Sequence, residues 1–325
     1  MAGRERPAIS AVIYAGPKAV FHWLSRSTRL KRLASRYGMA RQNSFARRFI
    51  AGETLDEALV AARRLQATGY LLTLDYLGES VGSFDEATNA AREYVKMIDA
   101  IVVSGIERNI SLKLTQLGAG IDLATCVDNL RRIVDAAQQL DCFVRIDMEN
   151  SPYTERTLEA FEILWQRHYR NLGVALQACL HRTAGDIKRM NELGARVRLV
   201  KGAYKEPPNV AYQKKAEVDE AFLRHTRTLL DHGTYPAIAT HDPAMLTAAC
   251  DYAVKQEITF DRFEFQMLYG VRRDLQKKLV SQGHRMRVYI PFGKEWFPYF
   301  MRRLGERPAN VGFVVRAILS EKSAE

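Results

Sequence analysis

Eight short apolar runs, each followed by a longer amphipathic stretch, constrain the fold of this chain more than anything else in it. The runs are YLLTLD (70–75), ISLKLT (110–115), CFVRIDM (142–148), LGVALQA (172–178), RVRLVKG (196–202), YPAIATH (235–241), RFEFQ (262–266) and RVYIP (287–291). Helical patterning fills the intervals at 84–104, 120–140, 155–168, 184–193, 211–232, 243–256, 271–282 and 295–304. The runs recur at roughly 20 to 40 residues, the interval that a strand–helix unit needs. Eight such units make a closed (β/α)8 barrel, and the length suits one. A doubly wound sheet is the alternative, but no GxGxxG follows the first run. The expected fold is therefore α/β, a distorted TIM-like (β/α)8 barrel over 55–316. A basic helical arm over 1–54 precedes it, a tail over 317–325 follows, and the last helix is expected over the barrel mouth.

Strand side chains alternate faces. One face of ISLKLTQ carries Ser111, Lys113 and Thr115, and one face of VRIDMEN carries Arg145, Asp147 and Glu149. Gln177 shares a face with Gly173 and Ala175, Arg198 with Val200 and Gly202, Glu264 with Gln266, and Arg287 with Tyr289. If these sets point inward, charged groups stand where a packed barrel holds Val, Ile and Leu. Buried charge without partners is too costly to persist. The interior is then an ion network or the wall of a polar ligand site. The polar positions are expected near the C-terminal strand ends, where barrel active sites lie, and this favours the ligand.

Charge is unevenly placed. Residues 1–48 hold eleven Lys and Arg against one acid, Glu5, and so carry most of the chain's net +11. Ile13, Tyr14, Phe21 and Trp23 interleave with those charges, a mixture suited to an anionic membrane surface or protein packing rather than nucleic acid. An Arg-rich, acid-poor start also has the character of an organelle transit peptide. The expected location is cytoplasmic and peripheral at the inner face of the membrane, or mitochondrial if the start is such a peptide. The four cysteines are scattered with no metal-ligand spacing, so no metal is expected.

Near the end, RVYIPFGKEWFPYFMRRLGERPANVGF (287–313) reads as a strand, a Pro-Phe-Gly turn and a helix. Tyr299 stands three and four residues ahead of Arg302 and Arg303, so the three can line one rim. Two guanidinium forks beside a phenol suit a small carboxylate on an apolar body.

From Phe49 to Arg316 the chain resembles the proline dehydrogenase family. The resemblance rests on motifs in order: FIAGETLDEALVAARRLQATGYLLTLDYLGES, SLKLTQLG, RIDMENSPYT, VALQACLHRT, RLVKGAYKEP, YPAIATHDPAM, FEFQMLYG, RVYIPFG and YFMRRLGERPANVGF. It implies FAD across the strand ends, touched by Met148, Gln177, Val200, Lys201, Gly202, Ala203, Thr240, His241, Gln266 and Glu306, with Arg198 aimed at the flavin N5 region. It implies a proline site at Lys113, Asp147, Tyr204, Leu268, Tyr289, Tyr299, Arg302 and Arg303, with Asp147 and Arg198 catalytic. The arginine pair clamps the carboxylate, and Glu79 closes the site by pairing with Arg302. Lys113 and Asp147, on neighbouring strands, are expected to pair. The implied reaction takes L-proline to 1-pyrroline-5-carboxylate by hydride transfer from C5 to flavin N5. Electrons pass to a quinone, and a separate pyrroline-5-carboxylate dehydrogenase takes the product.

Two other readings compete. One is a Schiff-base aldolase using Lys113 or Lys201, which needs a lysine of depressed pKa. Lys201 points opposite to Arg198 by strand parity, and a carboxylate partner for Lys113 raises its pKa. The other is a membrane- or nucleic-acid-binding protein acting through the arm, against which the near-neutral body with its polar interior argues.

Overall fold

A computed structural model describes residues 45–306 of the chain, with side chains from 46 to 303. The chain divides into two compact units, Leu59–Ile290 and a second that draws on residues up to Ala58 and from Pro291 onward.

Eight parallel strands close a barrel in sequence order. They are β1 (Leu71–Tyr76), β2 (Asn109–Leu112), β3 (Phe143–Ile146), β4 (Leu172–Gln177), β5 (Arg196–Val200), β6 (Ala237–Ala239), β7 (Glu264–Leu268) and β8 (Met286–Phe292). Helix α1 (Leu55–Gln66) precedes β1. The helices after successive strands are α2 (Phe84–Ser104), α3 (Leu123–Gln139), α4 (Thr154–Gln166), α5 (Thr183–Leu193), α6 (Lys215–His232), α7 (Pro243–Lys255), α8 (Arg273–Ser281) and α9 (Trp296–Glu306). Local chemistry starts several of them. Ser83, Asp122 and Asp242 each accept a bond from a first-turn N–H of α2, α3 and α7, satisfying donors that the helix leaves open. Gly105 ends α2 at φ 67°, a left-handed position that glycine takes without steric cost.

Only the inward strand face departs from a packed barrel, whose interior is filled by branched apolar side chains. Outward positions Leu72, Leu74, Ile110, Leu112, Val144, Ile146, Val174, Val197, Leu199, Ile238, Phe265 and Val288 are buried apolar residues, the set a surrounding helix layer needs. Inward positions include Thr73, Asp75, Ser111, Lys113, Arg145, Gln177, Arg198, Glu264, Gln266 and Arg287, all equally buried. Stability of the layer comes from the outward face, at about 25 cal/mol per Å² of apolar area removed from water. That leaves the barrel interior open to polar residues.

In the second unit, the chain before α1 runs beside the end of β8. The Ala51 N–H donates to Pro291 O at 2.9 Å and the Gly293 N–H to Gly52 O at 3.0 Å. The Trp296 indole donates to Glu53 at 2.8 Å, and Phe49 and Phe300 pack with ring centres 6.2 Å apart. These bonds correct one expectation. The described end of the arm is a single 3-10 turn (Phe45–Arg48) followed by non-helical chain to Thr54, because Ala51 and Gly52 bond to β8's continuation instead of to a helix. Residues 1–44 and the tail at 317–325 lie outside the described residues.

Candidate active site

The barrel interior is two connected ion clusters. Deeper, Arg287 grips Glu264 with both faces of its fork, Nε at 2.7 Å and Nη2 at 2.8 Å. Its Nη1 reaches Leu72 O at 2.5 Å and Glu107 at 2.7 Å. Burial alone raises the Glu264 carboxyl, but the Arg287 charge and bonds outweigh it and hold the pKa down at about 2. Arg145 bonds Arg196 O and Val174 O, and its head takes the space that a side chain on Gly173 would fill. Glu107 enters from the α2–β2 connection and Arg196 opens β5, so this cluster floors the N-terminal end. The polar positions are therefore not confined to the C-terminal strand ends. The deeper ones form the internal network, and only the upper ones are placed to meet a ligand.

In the upper cluster, Arg198 donates to Asp147 at 2.5 Å, to Ser111 at 2.8 Å and to Gln266 at 2.5 Å. The Tyr289 hydroxyl donates to the other Asp147 oxygen at 2.7 Å, and the Arg198 guanidinium lies 5.3 Å from the Tyr289 ring centre. Lys113 stands 4.0 Å from Asp147 but 3.3 Å from Asp75, which is completely buried. The expected Lys113–Asp147 pair is thus the longer contact, and Asp75 is the primary partner. Ser111 aligns with Asp75 on one side and Arg145 on the other, so Lys113 rises between the β1 and β3 carboxylates. Burial opposes the Lys113 charge, but Asp75 and Asp147 outweigh it and raise its pKa above the ordinary lysine value. Burial pushes the Asp75 carboxyl up, and Lys113 offsets part of that. Tyr289 is raised well above a free phenol by burial and by Asp147 and Asp75.

Asp75 was legible in principle. Thr73 and Asp75 share a face of the first strand, and the parity applied to the other strands would have aimed both inward. Thr73 and Ser111 do meet, at 3.2 Å. Glu107 gave no such signal, since it lies in a connection.

Gln177 donates to the Glu149 carbonyl at 2.9 Å, while the Glu149 carboxylate accepts from the Thr115 N–H and hydroxyl at 3.0 and 2.6 Å. Gly202 has φ 112°, and a Cβ there would come 2.3 Å from Cys179 Sγ and 3.4 Å from Gln177 Oε1. The position therefore requires glycine, which keeps its backbone uncovered beside Gln177. The Leu268 N–H donates to His241 Nε2 at 2.9 Å, so that nitrogen is unprotonated and the chain after β6 is tied to the end of β7. The Thr240 hydroxyl accepts from the Asp242 N–H, Met148 is buried, and Val200 aligns with Gln177 and Ala239. Tyr204 lies near enough to act on the Lys113 charge, and Glu79 on that of Glu149. Lys201 points outward, its ammonium 2.5 Å from Asp219 and 2.9 Å from Asp242. A ligand inside the barrel can meet the backbone of Lys201 but not its charge. Tyr299, Arg302 and Arg303 lie on α9 in the other unit, and the Glu306 side chain is outside those described.

Neither lysine of the aldolase reading is suited to it. Lys113 is held protonated, and Lys201 is engaged between two carboxylates outside the barrel. Among the described residues no His, Cys, Asp or Glu cluster fits a metal ion, and no helix is long and apolar enough to cross a membrane.

A closed (β/α)8 barrel with an ion-paired floor and an upper layer of amide, phenol, ammonium, guanidinium and carboxylate groups has the architecture of the barrel enzymes, and that upper layer suits a polar organic ligand. The model of the proline dehydrogenase family matches residues 58–316. Proline dehydrogenase 1 of Bacillus subtilis (strain 168) is 41% identical, over 93% of this chain and 99% of its own. The proline dehydrogenase of Deinococcus radiodurans is 39% identical over 86% and 93%. The crystal structure of proline utilization A from Bdellovibrio bacteriovorus, inactivated by N-propargylglycine, is 28% identical with a TM-score of 0.76, covering 90% of this chain and 35% of that one. The chain belongs to the proline dehydrogenase family.

Proposed function

We propose that this protein oxidises L-proline to 1-pyrroline-5-carboxylate in proline catabolism, using FAD and passing the electrons to a quinone. A separate pyrroline-5-carboxylate dehydrogenase would act on the product. Family membership over most of the chain supports the substrate. The observation that carries the site assignment is Asp147 held by Arg198, Tyr289 and Lys113 at the strand ends.

The residues present fit a flavin. Arg198 has five N–H groups and spends three inside the cluster, leaving one on each terminal nitrogen. The Gln177 amide donates to Glu149, which leaves its carbonyl as an acceptor, and Gly202 bares backbone beside it. Thr240, His241, Gln266, Met148, Val200, Ala203 and Glu306 complete the proposed contacts, with the backbone of Lys201. When bound, FAD would supply the acceptor for the hydride of proline C5. Arg198 favours negative charge arriving in its neighbourhood.

The chain's own groups bind and orient the substrate. Arg302 and Arg303 hold the carboxylate, with Glu79 as the ion-pair partner of Arg302. Tyr204, Leu268, Tyr289 and Tyr299 pack the ring. Lys113 and Asp147 present a charge-compensated wall to the nitrogen. That nitrogen reacts unprotonated and gives its proton to solvent or a weakly basic neighbour: Asp147 is engaged by two cations, Asp75 is completely buried against Lys113, and Tyr289 is raised far above neutrality.

The decisive experiment is the visible spectrum of the purified protein before and after anaerobic addition of proline. A flavin spectrum bleached by L-proline and not by D-proline is expected. Protein that neither carries nor takes up FAD, or that L-proline leaves oxidised, refutes the reading. Exchange of Arg302 or Arg303 for Met should lower kcat/KM for proline roughly a hundredfold through loss of a charge-assisted carboxylate contact. Near-normal efficiency in either variant removes the clamp.

For the arm, peripheral membrane contact supplies the quinone. Full-length protein should co-sediment with anionic vesicles at low salt and less at high salt, and a chain starting at Phe49 should not. Equal sedimentation of the two removes the arm from this role.

A further inference from the structure

We propose that Glu264, which lies below the ligand-facing layer, positions the Arg198 guanidinium by fixing the direction of the Gln266 amide between them. This rests on the function proposed above. Glu264 is 2% exposed and is gripped from below by Arg287, so it is walled off from anything bound at the strand ends.

Gln266 stands between the two clusters. Its Nε2 donates to Glu264 Oε1, and its Oε1 accepts from Arg198 Nε at 2.5 Å. A carboxamide has one donor end and one acceptor end, of nearly the same shape. Reversed, the Gln266 NH2 would face the Arg198 N–H and its carbonyl would face the Glu264 carboxylate, two repulsive contacts in a buried site. The carboxylate, which only accepts, therefore selects one amide direction, and that direction turns an acceptor toward Arg198.

The consequence is a guanidinium fixed by three acceptors from three strands: Gln266 on β7, Ser111 on β2, and Asp147 just past β3. Three fixed N–H bonds leave one N–H on each terminal nitrogen and hold the plane of the guanidinium. With a neutral amide at 264, the reversed Gln266 meets no repulsion at that end, so only the Arg198 N–H still selects its direction and one of the three constraints on Arg198 is weakened. The floor of the barrel thereby acts on the reacting layer through a single hydrogen-bond relay.

The test uses the full chain with Glu264→Gln, Arg198→Met and their combination. One readout needs no flavin. The Arg198 Nε–H signal, identified by its loss in Arg198→Lys, is followed by nitrogen-15 NMR for hydrogen exchange. The other is kcat/KM for proline in the holoenzyme. Glu264→Gln should speed exchange of that proton at least about tenfold and lower kcat/KM roughly tenfold, as loss of a buried charge-assisted bond implies. In the Arg198→Met background the same exchange should cost nothing further, since interacting groups are non-additive.

If Glu264→Gln does not fold, the double exchange Glu264→Gln with Gln266→Glu carries the test. It keeps the total charge and the sense of every bond toward Arg198, so the protected Arg198 signal should return. An unprotected signal in the double exchange, an unchanged Arg198 proton in Glu264→Gln, or an equal kcat/KM loss with and without Arg198 overturns the relay. Wild-type protein that proline fails to reduce, while the exchange results hold, refutes the function and leaves the relay standing.

Discussion

Replacing Arg198 with Met is expected to lower kcat/KM for proline about 10²- to 10³-fold, the usual cost of removing a preorganised charge stabiliser. The protein should still fold. Asp147 keeps the Tyr289 hydroxyl at 2.7 Å and Lys113 at 4.0 Å, so the buried carboxylate is not left alone. Gln266 and Ser111 lose a donor, but each is neutral and cheaper to leave underbonded than a charge. Steady-state kinetics beside the flavin content and the far-ultraviolet circular dichroism of the variant separate the two effects. An efficiency within tenfold of the parent, in a folded holoprotein, would remove Arg198 from the reaction.

The second large effect falls on stability. Arg287→Met breaks the bidentate grip on Glu264 and also releases Glu107 and Leu72 O. Glu264 retains bonds from Gln266 and Tyr235, both neutral donors, within a fully buried site. Breaking a buried ion pair by removing one partner costs about 3–5 kcal/mol. Urea midpoints measured on parent and variant would show this directly, and a change under about 1 kcal/mol would contradict the pair's role.

A pH signature accompanies it. The Glu264 carboxyl is depressed from an ordinary 4.5 to about 2, so its contribution is complete above pH 4.5. That contribution is lost as the pH falls from there toward 2. The loss should shrink in Arg287→Met, where burial pushes the carboxyl up and the Gln266 bond and the Arg145 charge remain to hold it down. His225 gives a separate acid loss, because burial lowers its pKa from 6.5 to about 4. Its contribution is full above pH 6.5 and falls as the pH drops toward 4, and Arg287→Met should leave that window unchanged.

Much of the barrel was legible because it is encoded locally. A strand whose outward residues are Leu72 and Leu74, or Val197 and Leu199, has period two whatever it pairs with. A helix begun by Ser83 or Asp242 is begun by its own side chain. The expected segment 84–104 coincides with α2, and 184–193 differs from α5 by one residue. The inward parity of Lys113, Asp147, Arg198, Gln266 and Tyr289 could also be read, since it needs only alternation. The resemblance to proline dehydrogenases then supplied chemistry that alternation cannot.

Which inward residues meet was not encoded in that way. Arg287 bonds a carboxylate 180 residues before it and a carbonyl 215 residues before it. Lys113 takes Asp75 on β1 ahead of Asp147 next to β3, although each flanks its strand. The stagger between neighbouring strands sets the height of each side chain inside the barrel, and only closure of all eight fixes that stagger. The sequence by itself therefore determined the strand–helix units and which residues turn inward, because period and capping act within a few residues. The tertiary structure alone decided which buried charges form the floor and which face a ligand, because charges so far apart along the chain find partners only when closure brings them to the same level.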